Sequence, residues 1–113
     1  MKNFIMTRIS AAIIISVMIT SLNFAQNWQL QNSNHSGQIT GIQMISTTEG
    51  WACGDAGAML NTINAGNTWA HITLTGSDLH QIVFKDASTG IVVGDNATVF
   101  TTTNGGTNWV SKN

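Results

Sequence analysis

GWACGDAGAMLNTINAGNTW, residues 50–69, returns 40 positions later as GIVVGDNATVFTTTNGGTNW, residues 90–109. Held at that shift, Ile42 falls on Ile82, Gly50 on Gly90, Gly54 on Gly94 and Asp55 on Asp95. Thr62 falls on Thr102, Asn64 on Asn104, Gly66 on Gly106 and Trp69 on Trp109, without a gap. A unit of this length, strand-rich and closed by an aromatic, has the pattern of a β-propeller blade.

Each unit divides into short strand-like runs separated by turn residues. Ile39 to Ile45 is matched by Leu79 to Phe84, and Trp51-Ala52-Cys53 by Ile91-Val92-Val93. The continuous apolar triplets predict a strand buried on both faces. A third run, Ala58 to Ile63, answers Thr98 to Thr103, and a fourth begins at Trp69 and again at Trp109. There is no proline, and no helical periodicity of useful length follows residue 25. The expected architecture is all-β: two four-stranded antiparallel blades, 39–74 and 79–113. An outer strand of a neighbouring blade is expected near 27–31, where Asn27-Trp28 resembles Thr68-Trp69.

The first 25 residues read as a leader. Lys2 and Arg8 precede the apolar run Ile9 to Ile19, and Ser21 to Ala25 lead to a cleavage site before Gln26. That run is shorter than the roughly 20 residues a membrane span needs, so a secretory signal peptide is expected, with a membrane anchor as the competing reading. The mature chain would then be secreted, periplasmic or at the cell surface. It would keep all five acids but only two bases, Lys85 and Lys112, with no Arg and no Tyr. Such a chain is poorly suited to phosphate backbones or anionic lipid, so neither nucleic acid nor membrane is expected as a partner after cleavage. The single cysteine, Cys53, aligns with Val93 and reads as a small buried apolar residue.

The Thr-x-Asn-x-Gly-x-x-Trp octets are explained by folding. Asn64 and Asn104 can cap turn amides, Gly66 and Gly106 can take the positive φ of a tight hairpin, and Trp69 and Trp109 can pin the corner in apolar packing. Gly54-Asp55 and Gly94-Asp95 read as further corners, Gly supplying positive φ and Asp capping nearby amides.

The octet resembles the Asp-box, the bacterial neuraminidase repeat, with Asn64 and Asn104 where Asp is usual. The longer pattern is more specific. Residues 50–69 and 90–109 resemble blades of the photosystem II assembly and stability factor family and its secreted bacterial relatives. Those blades carry Gly-Trp-x-x-Gly-Asp-x-Gly, an apolar strand, then Thr-Thr-x-Gly-Gly-x-x-Trp. The resemblance covers roughly residues 28–110 and implies a propeller that binds proteins or acts as a scaffold, not a catalyst. Ile91 stands where the family has Trp, Ala97 where it has Gly, and Ala65 where the box often has Gly.

Catalytic chemistry finds little footing. The sialidases that share the Asp-box resemble one another in an arginine cluster and a tyrosine nucleophile, and the mature chain has neither residue. Asp55 and Asp95 recur at equivalent corners, which is not the facing carboxylate pair of a glycosidase. His35, His71 and His80 match no compact metal-ligand spacing, and no glycine-rich phosphate loop precedes a helix. No cofactor or metal is expected. Two blades leave their flanks open, since a ring needs at least four. A piece of a longer propeller, a homo-oligomer of two-blade chains and a small open sheet are the competing explanations. The expected function is that of a non-enzymatic scaffold or protein-interaction module, its partner a protein or further blades. The alternatives are a carbohydrate-binding, lectin-like propeller assembled from several copies, with Trp51 or Trp28 as the stacking ring, and the non-catalytic part of a sialidase-like glycosidase.

Overall fold

The computed structural model describes residues 29–113. The expected leader with its cut before Gln26, and Trp28, lie outside those residues. Two four-stranded antiparallel sheets follow one another along the chain within one compact unit, Gln31–Asn113. The first is β1 (Ile39–Met44), β2 (Gly50–Gly54), β3 (Ala58–Thr62) and β4 (Ala70–Thr73), paired in that order. The second repeats it with β5 (Leu79–Phe84), β6 (Gly90–Gly94), β7 (Val99–Thr102) and β8 (Val110–Ser111). The described residues are all-β and built of propeller blades. Even the irregularities repeat: the pairing of β1 with β2 shifts between Ile39 and Gly41, and that of β5 with β6 between Leu79 and Gln81.

Gln29–Gln31, expected in an outer strand, carry no strand pairing. A lone extended segment leaves its amides unpaired unless a sheet edge accepts it. Among the described residues no third sheet offers one.

The core lies between the two sheets. Strand alternation sends Trp51, Cys53 and Met59 of the first sheet towards Leu79, Ile82, Phe84 and Val92 of the second, and all are buried. The outward neighbours on β5, His80 and Val83, are exposed. Trp51 stacks on Phe84 with ring centroids 6.1 Å apart and meets Trp109 edge-on at 5.7 Å. Phe84 and Trp109 close the triangle edge-to-face at 5.9 Å, arrangements that aromatic quadrupoles favour.

Polar groups lock the two sheets in register. The Gln43 amide brackets Phe84, its Nε2 donating to the carbonyl at 3.0 Å and its Oε1 accepting from the backbone N–H at 2.6 Å. The Thr40 hydroxyl donates to the Leu79 carbonyl and lies 3.8 Å from Cys53 Sγ. Burial pushes the Cys53 thiol above its ordinary pKa, as expected for a core residue and not for a nucleophile.

The loops entering β2 and β6 use different chemistry for one task. In the first, Ser46 Oγ accepts from the amides of Thr48 and Glu49 at 3.2 and 2.9 Å. In the second, Asp86 Oδ1 accepts from Ser88 and Thr89 at 2.9 and 2.7 Å. Those two amides, Thr89 first, hold the exposed Asp86 carboxyl below its ordinary value of 3.8. A depressed carboxylate contributes its stabilisation above the unfolded pKa and loses it as pH falls through the folded one. We therefore expect the Ser88 and Thr89 amide resonances to titrate together with a midpoint below 3.8, while Thr48 holds its shift. A midpoint at or above 3.8 would contradict the turn geometry.

Candidate interaction surface

The Asn–Gly corners are built alike. The Thr62 hydroxyl donates to Asn64 Oδ1 at 3.1 Å and accepts from the Gly66 amide at 2.8 Å. Asn64 Oδ1 also accepts from the Thr68 amide at 2.9 Å, and its Nδ2 donates to the Thr68 hydroxyl at 2.8 Å. Thr102, Asn104, Gly106 and Asn108 repeat the network at 3.0, 2.9, 2.9 and 3.0 Å. Left-handed backbone falls not on Asn but on the next two residues, Ala65 and Gly66 (φ 58° and 84°), then Gly105 and Gly106 (68° and 88°). Every polar side-chain atom of Thr62, Asn64, Thr102 and Asn104 thus has an internal partner, so these residues are spent on the turn. The indoles that close it, Trp69 and Trp109, are half-buried.

Trp51, expected as a possible stacking ring for a ligand, is instead buried, with 6 % of its surface exposed. It faces the second sheet, and an indole enclosed by Phe84 and Trp109 has no face to offer a sugar.

The Gly-Asp corners also differ from expectation. Gly54 and Gly94 do not take positive φ; left-handed backbone falls on Ala56, Gly57, Asn96 and Ala97. The two glycines are needed because a Cβ there would lie 2.1 Å from the Gln38 carbonyl and 2.3 Å from that of Asp78. The carboxylates of Asp55 and Asp95 cap no turn amide. Each meets a histidine: Asp55 Oδ1 lies 3.0 Å from His35 Nε2, and Asp95 Oδ1 2.6 Å from His80 Nε2. Asp78 ties the corners together, its Oδ1 accepting from the Ala56 amide at 2.8 Å and its carbonyl from that of Asp95 at 2.9 Å. His71 adds a ring centroid 5.5 Å from that of His35.

The result is a polar rim along one end of both sheets, carrying three carboxylates and three imidazoles. The His80–Asp95 pair is open to solvent, with 53 % and 55 % of the two side chains exposed. Among the described residues neither paired imidazole bonds a hydroxyl or thiol, and no three His, Cys, Asp or Glu converge as a metal site. The exposed His80–Asp95 pair presents hydrogen-bond acceptors and donors to solvent. Sequence reasoning missed the rim because the histidines do not recur at the repeat spacing: His35 corresponds to Thr75, and His80 to Thr40.

Tandem four-stranded sheets, cornered alike and packed face to face through indoles, define blades of a β-propeller. Among solved structures the chain resembles "YCF48 bound to D1 peptide", with 23% identity and a TM-score of 0.67 over 77% of this chain and 31% of that one. It also resembles "YCF48 from Cyanidioschyzon merolae", with 22% identity and a TM-score of 0.67 over 76% and 27%. The chain therefore spans about a third or less of the solved proteins it resembles. No family profile matches the sequence, and no curated protein does.

Proposed function

We propose that this chain is an exported, non-catalytic propeller segment that holds a protein partner along its histidine–aspartate rim. The observation that carries the reading is the fold likeness to YCF48, one structure of which is bound to a peptide. The exposed His80–Asp95 pair supplies the donors and acceptors an extended peptide backbone would use. The three rim carboxylates favour segments with basic or amide side chains. Export rests on the leader pattern of residues 1–25.

Peptide and glycan arrays probed in parallel with the purified chain test this. Saturable binding to extended peptides is expected, weakened about three- to tenfold by His80→Ala and Asp95→Asn, the loss of one or two exposed polar contacts. Binding to glycans alone, or peptide binding indifferent to both substitutions, would overturn it.

A further inference from the structure

The interface between the two sheets joins two unlike halves. One is the back of the first sheet, with Trp51, Cys53 and Met59; the other is the front of the second, with Leu79, Ile82, Phe84 and Trp109. By the repeat, the front half recurs on the first sheet as Ile39, Ile42, Met44 and Trp69, and the back half recurs on the second as Ile91, Val93 and Val99. Both recurrences are uncovered: Ile42 is 63 % exposed and Ile91 40 %. Grooves lie along them, one bordered by Ile39, Ile42, Leu60 and Trp69, the other by Val83 and Ile91. Among the described residues, copies of both sides of a contact made once are thus left uncovered.

A second observation shows what the open front is shaped to receive. A Cβ on Gly106 would fall 2.2 Å from Trp51 Cζ2, so the indole of the preceding sheet sits on that turn. At the equivalent Gly66 the place is taken by Gln31, whose Oε1 lies 1.9 Å from the same constructed position. Gln31 Nε2 donates to the Ala65 carbonyl at 3.2 Å, and the segment is fastened again where His35 meets Asp55. Residues 31–35 therefore occupy, with one exposed polar side chain, a seat that a neighbouring sheet fills elsewhere in the fold.

We infer that the first sheet docks the second sheet of another copy of this chain, head to tail, with Ile91 entering the seat beside Gly66 and Gln31 displaced. The occupant follows from complementarity: the apolar back of the second sheet is the only described surface equivalent to the face that covers Leu79, Ile82 and Phe84. The contact is heterologous, so it leaves one front and one back free and repeats until a ring closes or a filament grows. Substitutions within the repeat weaken it relative to the internal interface, His80 among them in place of the Thr40 that donates to the Leu79 carbonyl. Ile91 replaces the indole, and Val83 replaces Gln43, removing the two hydrogen bonds that Gln43 makes to Phe84.

The test is the solution mass of the purified chain across a concentration series, with circular dichroism to certify folding. The wild-type mass should rise with concentration. Ile91→Trp should tighten association by about tenfold or more, from the larger apolar area buried. Ile42→Asp changes an exposed side chain, so it should leave the fold intact and abolish association. A folded wild type and a folded Ile91→Trp variant that both stay monomeric at every concentration would overturn the inference. Association that survives Ile42→Asp would overturn it as well. Peptide binding at the rim does not enter either readout, so the two proposals stand or fall apart.

Discussion

Trp51→Ala is expected to leave the described unit unfolded or within about 1–2 kcal/mol of unfolding. Removing a buried tryptophan costs about 3–5 kcal/mol, from lost transfer free energy and the cavity left behind. Single domains hold only about 5–15 kcal/mol in all, and small ones lie at the low end. The loss falls where it matters most. Trp51 is the ring on which Phe84 stacks and against whose edge Trp109 packs, so its removal opens the main apolar contact between the sheets. Denaturant unfolding followed by far-ultraviolet circular dichroism reads the effect. Trp51→Phe should cost less than half as much. It keeps a ring against Phe84, and the indole N–H that it deletes is buried without a hydrogen-bond partner. A Trp51→Ala protein with the wild-type midpoint would show that the sheets are held by something other than the aromatic triangle.

The same residue marks how far the sequence could be read. Trp51-Ala52-Cys53 and Ile91-Val92-Val93 are both unbroken apolar triplets, and each predicts burial on both faces. All three of the first are buried, but in the second only Val92 is, because a sheet covers its front and none covers its back. Hydrophobic pattern states what a strand is made to contact; it does not say whether the contact is present. That is why Trp51 could be entertained as a ligand ring. The Asn–Gly corners were legible for the opposite reason: Thr62, Asn64, Gly66 and Thr68 satisfy one another within a few residues, so local sequence contains the whole network. The rim was not legible. His35 reaches Asp55 across 20 positions, and His80 reaches Asp95 across 15, with neither histidine repeated in the other blade. The corner glycines were legible as glycines but not in their cause. Gly54 and Gly94 serve close backbone approach, which only the pairing of strand ends reveals.

Gly106→Ala and Gly66→Ala separate the two demands that one motif glycine can answer. The positions share a left-handed backbone, φ 88° and 84°, so an L side chain at either costs about 1–2 kcal/mol. They differ in what the methyl meets. At Gly66 it meets the amide end of Gln31, an exposed side chain that can swing away. At Gly106 it meets the six-membered ring of Trp51, which Phe84 and Trp109 hold in place. Overpacking against a fixed core side chain costs about 1–3 kcal/mol more, so Gly106→Ala should cost about 2–5 kcal/mol and Gly66→Ala about 1–2. Combining Gly106→Ala with Trp51→Phe isolates the clash, since a phenyl ring does not reach as far as the indole Cζ2. The double variant should be more stable than the sum of the two single losses predicts, by about 1 kcal/mol or more. Equal costs at the two glycines, or strict additivity in the cycle, would mean that backbone conformation alone decides both positions and that the indole is not seated on the turn.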